Sequence, residues 1–245
     1  MKGGLKMIYE MKVTRSLLLA AVLAAGSSHA LLGQDQVARL REAYSPEAVA
    51  QIEAVVEAAR RNGVPVGPLY DKALEGAAKR VPAARVMPAL REYSGRMERA
   101  QGLLGGTREA AWVVAGADAL RRGVAPDALV SIGREAGTRT PMALVVMGDL
   151  LEAGVSPGPA MDVMREALRR TSGEEGLLDV PTALRRLVRE GALTRDAAGQ
   201  LLQAMRDGVA LRTVRHDGRP GGPDRRTNAR PVPQGSDPTR VRTPG

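Results

Sequence analysis

The strongest constraint on this chain is the repeated use of glycine to end, and proline to begin, short apolar segments. LRRGVAPDALVSIGREA (residues 120–136) and LEAGVSPGPAMDVMREA (residues 151–167) are identical at seven of seventeen aligned positions. In each, an apolar stretch ends in Gly-Val, and a proline follows two residues later. Glycine takes the left-handed conformation that ends a helix, the valine packs back on its last turn, and proline fits the next first turn. The pattern predicts pairs of short helices joined by tight turns.

The same turn recurs along the chain. Gly63-Val64-Pro65 is a further copy, and Gly191-Ala192 is a degenerate one followed by Thr194, which we expect to cap the last helix. Gly123 and Gly154 are 31 residues apart, which is the length scale of helix-hairpin repeats. The sequence motifs of tetratricopeptide and ankyrin repeats are absent. A structural unit built several times explains the repetition.

Helical spacing of apolar residues fills the segments between these turns. Ser45-Pro46 has the composition of a helix start. In residues 86–104 the apolar positions alternate steps of four and three, and Pro88 predicts a kink or a later start within that helix. No segment alternates with the period of a strand. The predicted fold class is therefore all-α, with short helix-hairpin units stacked as an irregular α-solenoid or as an orthogonal helical bundle.

The amino terminus has the layout of a secretory signal peptide. Lys12 and Arg15 precede the apolar run 17–25, and Ser28-His29-Ala30 supplies small residues at the positions that a signal peptidase reads. We expect residues 1–30 to be this signal, with Met11 as an alternative true start and export to the periplasm or outside the cell. The run is short for a membrane span, so an uncleaved anchor is the alternative.

The basic charge is confined to the two ends. The net charge is +9, of which the first thirty residues carry +3 and residues 206–245 carry +5, so residues 31–205 are almost neutral. We therefore divide the chain into the signal, an all-helical domain at 31–206 and an Arg/Pro/Gly-rich tail at 207–245 that is predicted to be disordered. Four tail residues are candidate polyanion contacts: Arg219, Arg225, Arg226 and Arg230.

The residue inventory restricts the chemistry. The chain has no cysteine, and its two histidines, His29 and His216, fall outside the predicted domain. A Ser-His-Asp or Cys-His arrangement and a zinc site of the usual kind are therefore not expected there. The acidic stretch 174–179 is predicted to be a solvated loop, and Glu92 and Glu98 are an unspecific carboxylate pair. We expect no catalytic, cofactor-binding or metal-binding residues, and no enzyme activity.

A glutamate recurs twelve residues after three of the turn glycines. Its copies are Glu75, Glu135 and Glu166, and each is followed four residues later by Lys79, Arg139 or Arg170. Glu followed by Lys or Arg at this spacing forms helix-surface ion pairs worth about 0.2–0.5 kcal/mol. These pairs account for the repeated carboxylate without catalysis.

The sequence therefore predicts an exported, non-enzymatic helical-repeat protein that binds a protein or polymer of the bacterial envelope. Trp112 and Tyr70 are the candidate partner contacts, because large aromatic residues anchor interfaces. The alternative is a protein that binds nucleic acid or another polyanion through its tail. The near-neutral domain and the export signal argue against nucleic acid, and membrane contact is expected only through an uncleaved signal.

Overall fold

The structure, a computed structural model, describes residues 29–216. This range contains ten α-helices, two short 3₁₀ segments and no strand, which confirms the all-α prediction. The helices are α1 His29–Ala43, α2 Pro46–Arg61, α3 Gly67–Ala78, α4 Ala83–Leu103, α5 Ala110–Arg121, α6 Pro126–Ala136, α7 Thr140–Glu152, α8 Pro157–Arg170, α9 Glu174–Arg189 and α10 Thr194–Arg206. The 3₁₀ segments are Gly137–Arg139 and Leu211–Thr213.

The helices form two layers that are stacked in chain order. Within 29–216, the helix pairs with substantial packing are either consecutive or separated by one helix. The odd-numbered helices pack on one another as one layer, and the even-numbered helices pack on one another as the second layer. This order of contacts is that of stacked helix hairpins, in which each unit buries its apolar face against its neighbours.

Two hydrophobic cores lie along the stack and meet at α5. Val113 and Ala117 of this helix belong to the first core, which spans residues 40–117. Ala115 and Ala119 belong to the second core, which spans residues 115–214. A single helix therefore serves both cores with different faces, and its partly buried Leu120 packs against both.

The predicted Gly-Val turns have the expected geometry. Gly123 and Gly154 have φ values of 91° and 89°, and the valines that follow them are 2% and 3% exposed. The amide of Val124 donates to Ala119 O at 2.9 Å, which is the long hydrogen bond of a Schellman cap. Gly63 and Gly191 repeat this arrangement, with φ values of 76° and 105°.

The turn at Gly63 is spaced differently along the chain from the three later Gly turns. Two helices separate the turns at Gly123, Gly154 and Gly191, whereas three helices, α3 to α5, separate Gly63 from Gly123. The turn at Gly63 therefore leads from the even layer to the odd layer, and the later turns lead in the opposite direction. The regular two-helix repeat is confined to residues 110–206.

Most of the predicted helix starts are confirmed. Ser45 is the N-cap of α2, and its hydroxyl accepts from the amide of Ala48 at 3.4 Å. The helix α4 begins at Ala83 and runs through Pro88, so the alternative of a later start is wrong. Thr194 is the first residue of α10, and Leu193 occupies the N-cap position in its place.

Two expectations at the C-terminal end of the stack are wrong. The acidic stretch 174–179 lies within α9, not in a loop, because the carboxylates of Glu174 and Glu175 suit the positive end of a helix. The tail boundary at Asp207 is also too early, since Leu211 and Val214 are buried in the second core.

The segment 209–216 closes the end of the stack. Arg186 of α9 donates to the carbonyl oxygens of Leu211, at 2.5 Å, and Val214, at 3.1 Å. The amide of His216 donates to Glu190 at 2.8 Å, so this histidine lies against the folded part of the chain. These contacts hold the segment where a further helix pair would otherwise continue the stack.

Candidate functional site

Trp112 lies at the start of α5 and is partly exposed. Its neighbour Val113 is fully buried in the first core, whereas Trp112 lies outside both core clusters. A partly exposed indole combines a large apolar surface with one hydrogen-bond donor, which suits a partner contact. Its position is compatible with the predicted role.

The other predicted contacts are placed differently. Tyr70 is 7% exposed and packs in the first core, so it offers little surface to a partner. The four tail arginines, Arg219, Arg225, Arg226 and Arg230, lie outside the described residues.

A largely buried charge lies at the C-cap of α5, where the side chain of Arg122 is 8% exposed. Its Nε lies 2.6 Å from Oδ2 of Asp118, and its Nη1 lies 2.5 Å from Oδ1 of Asp149 on α7. Burial opposes the charge on Arg122, but the carboxylates of Asp118, Asp149 and Glu152 outweigh it and raise the pKa of the guanidinium group. The cluster holds α5 against α7 and was not foreseen from the sequence.

Tyr93 of α4 lies close to this cluster. Burial of its phenol, reinforced by the negative charge of Asp118, raises its pKa to about 12. Arg96, one turn along α4, forms an ion pair with Glu92, which partly satisfies its guanidinium group. A phenol with a raised pKa stays protonated, so Tyr93 is not activated as a base or a nucleophile.

The repeated glutamates have three different environments. Partial burial raises the pKa of Glu75, but hydrogen bonds from Lys72 and Lys79 outweigh it and lower the pKa overall. The hydrogen bond that Arg170 donates to Glu166, at 2.8 Å, is the largest of the effects that lower the pKa of that carboxyl group. These two copies confirm the predicted pairing, although the side chain of Glu166 is only 3% exposed and does not lie on the exposed surface of its helix.

The third copy departs from the prediction. Glu135 accepts from the hydroxyl of Ser131 at 2.7 Å and lies 3.5 Å from Arg165 of α8. Arg139 instead reaches the end of α8 and donates to the carbonyl oxygen of Leu168 at 3.1 Å. Arg139 therefore joins one repeat unit to the next. Arg170 does the same by donating to Arg206 O at 2.8 Å.

The remaining candidates for chemistry are structural. Glu98 accepts from the side-chain amide of Asn62 at 3.0 Å, so it joins α4 to the end of α2. Within residues 29–216, no group of His, Cys, Asp or Glu side chains has an arrangement that could hold a metal ion. A depression of about 310 Å³ lies between α1 and α2 and is lined by Arg41, Tyr44, Pro46, Val49, Ala50 and Glu53.

The described residues define an all-α protein whose helices pack against their near neighbours in the chain. No protein family, curated protein or solved structure matches the chain. Among the helices of residues 29–216, none is both long enough and apolar enough to cross a membrane.

Proposed function

We propose that this is an exported, non-enzymatic protein that binds a protein or polymer of the bacterial envelope. The observation that carries the proposal is the order of helix packing, in which each helix packs on its near neighbours in sequence. A stack of this kind presents long faces formed by successive helices, and proteins of this architecture use such faces to bind partners. The charges of Arg122, Asp118 and Asp149 are paired with one another and join α5 to α7.

Trp112 is the residue that we assign to the partner surface. It is the single tryptophan of the chain, and it is partly exposed and lies outside both hydrophobic cores. Tryptophan is among the residues that contribute most to binding energy at protein interfaces. We expect the partner to cover its indole ring.

A photocrosslinking amino acid placed at position 112 in living cells tests this assignment. We expect a discrete covalent adduct at position 112 and none at the exposed position Gln51 on α2. Binding of the isolated partner should then weaken at least tenfold in Trp112→Ala, which corresponds to about 1.4 kcal/mol. Equal adduct formation at the two positions, or unchanged binding of the variant, would contradict the assignment.

Export is proposed from the layout of residues 11–30. The helix α1 begins at His29, so cleavage after Ala30 would remove only its first two residues and leave the stack intact. Fractionation of tagged cells, with the mass of the mature chain, tests this directly. We expect a periplasmic or secreted product that begins at Leu31, and a cytoplasmic product with an intact amino terminus would exclude export.

The tail supports a second candidate function, binding of an anionic polymer. Its arginines give the chain most of its excess positive charge outside the signal. Binding through this charge would weaken steeply as salt rises. A titration with lipopolysaccharide and with DNA, using the protein with and without residues 217–245, distinguishes this function from the first one. Tail-independent binding, or no binding at low salt, would exclude it.

A further inference from the structure

Apolar surface is concentrated at the C-terminal end of the stack. In the part of the chain that the structure describes, the large hydrophobic side chains with high exposure all lie in or beside α9 and α10. They are Leu178 at 45%, Val188 at 39%, Leu193 at 67% and Val209 at 46%. Exposed apolar side chains that cluster in one region of a soluble protein often mark a binding surface.

One face of α9 carries a regular exposed strip. The strip consists of Glu175, Leu178, Thr182, Arg185 and Arg189, which follow one another at steps of three and four residues. This spacing places them along a single line of the helix. The opposite face, with Leu177, Val180, Leu184 and Leu187, is buried in the second core. The strip therefore faces away from the stack.

The charges on and beside this strip are segregated by sign. Glu175 and the neighbouring Asp179 lie in the first half of α9, and Arg185 and Arg189 lie in the second half. Within residues 29–216, none of these four side chains forms an ion pair. The side chain of Arg189 makes one long hydrogen bond, to Arg185 O at 3.4 Å. The charges are therefore available to another molecule.

Their positions are symmetric about one residue. Glu175 and Arg189 are each seven residues from Thr182, and Asp179 and Arg185 are each three residues from it. Two copies of α9 that cross antiparallel at Thr182 would bring Glu175 and Asp179 of one copy to the same levels along the helix axis as Arg189 and Arg185 of the other copy. A parallel pairing would instead place like charges together.

We propose that the partner of this strip is a second copy of the chain, and that two copies associate through antiparallel α9 helices about a two-fold axis at Thr182. A surface that is complementary to itself under a two-fold rotation is the requirement for a closed homodimer. Leu178, beside the acidic half of the strip, then contacts the aliphatic part of the arginine side chains of the other copy. The exposed Val188 adds apolar contact at the edge.

The expected dimer is weak and sensitive to salt. One pair of short helices buries much less than the roughly 800 Å² per partner that stable complexes bury. Its charge pairs lie at the surface and are screened by added ions. Association in the micromolar to millimolar range of protein concentration is therefore the expected result.

Sedimentation equilibrium of the purified protein, over this range of concentration, measures the association. We expect a reversible monomer–dimer equilibrium that weakens more than tenfold in Arg185→Glu/Arg189→Glu. The double variant Glu175→Lys/Asp179→Lys should weaken it similarly. A matched control, Arg91→Glu/Arg99→Glu, changes two exposed arginines of α4 and should leave the equilibrium unchanged.

Mixing the two α9 variants provides the decisive comparison. One variant carries only negative charge on the strip and the other only positive charge, so the mixture should form a heterodimer although neither variant associates with itself. This restoration also excludes misfolding as the cause of the loss. A strictly monomeric parent protein, equal weakening by the α4 control, or no heterodimer in the mixture would overturn the proposal.

Discussion

The side chain of Arg122 lies across Gly148 of the neighbouring helix α7. A Cβ atom at position 148 would lie 2.6 Å from Cδ of Arg122, well inside van der Waals contact. The glycine therefore leaves the space through which the guanidinium group reaches Asp149. The close approach and the buried ion pair depend on each other, and together they hold two helices of the odd layer.

Gly148→Ala should destabilise the protein for this reason. Crowding in a packed interior costs about 1–3 kcal/mol, and the better helix propensity of alanine returns about 1 kcal/mol, so we expect a net loss of up to about 2 kcal/mol. Urea unfolding followed by circular dichroism measures it. Gly95→Ala on α4 is the matched control, because no atom lies within 4 Å of its added Cβ, and it should raise stability by about 0.5–1 kcal/mol. Equal effects of the two substitutions would refute the close approach.

The segment 209–216 should contribute to the stability of the stack. Removing residues 209–245 exposes the core under Leu211 and Val214 and takes two carbonyl acceptors from Arg186. We expect a loss of about 2 kcal/mol, since burial of one aliphatic side chain is worth about 1.5–3 kcal/mol and ordering the segment offsets part of the total. Removal of 217–245 alone is the control and should leave the free energy of unfolding unchanged. If both deletions unfold at the same denaturant concentration, the segment does not close the stack.

Gly154→Ala should be costly through backbone strain alone. No atom lies within 4 Å of the added Cβ, but φ is 89°, a conformation that costs an L-residue about 1–2 kcal/mol. Gly199→Ala in α10 also has open space around the added methyl group and has no such strain, so it should not destabilise the protein. Thermal unfolding of the two variants compares them, and an equally stable Gly154→Ala would argue against the helix-ending turn.

Tyr93 should titrate at an unusually high pH. The pKa of its phenol in the folded chain is about 12, above the ordinary value of 10. Between these two values the unfolded chain releases a proton that the folded chain retains, so stability is fully present below pH 10 and falls as the pH rises toward 12. The absorbance of tyrosinate in wild type and Tyr93→Phe measures the titration. The prediction fails if the difference between the two curves is centred near pH 10.

The sequence was informative where a local interaction determines the structure. The cap at Ser45 and the turn at Gly154 depend on a few adjacent residues, so their types and spacing were sufficient to predict them. The start of α9 is not apparent from the sequence, because the glycine-containing acidic stretch 174–179 has the composition of a loop, whereas the helix begins at Glu174 and continues through the buried Pro181. Proline favours a first turn but does not by itself locate it.

Contacts between repeat units could not be predicted in the same way. The spacing of Glu135 and Arg139 is that of a helix-surface pair, yet Arg139 bonds the end of α8 because carbonyl oxygens are open there. Likewise, Leu211 and Val214 stand in the short mixed stretch 209–216, and their burial depends on contact with the end of the stack, which no single local pattern predicts. The assignment of Trp112 to a partner surface depends on its residue type and its exposure. No local sequence pattern identifies the partner.

The helices of residues 29–216 pack as a stack in chain order. Because the chain has no cysteine, spin labels can be attached to pairs of introduced cysteines without removing any native one. Pulsed electron paramagnetic resonance should give a short distance between Gln51→Cys on α2 and Arg91→Cys on α4, and a clearly longer one between Gln51→Cys and Arg195→Cys on α10. Helices packed side by side lie about 8–10 Å apart. In the even layer, α2 and α4 are neighbours, whereas α2 and α10 are four helix spacings apart, so the second pair of labels should be much further apart. Equal distances for the two pairs would show a closed bundle and contradict the stack.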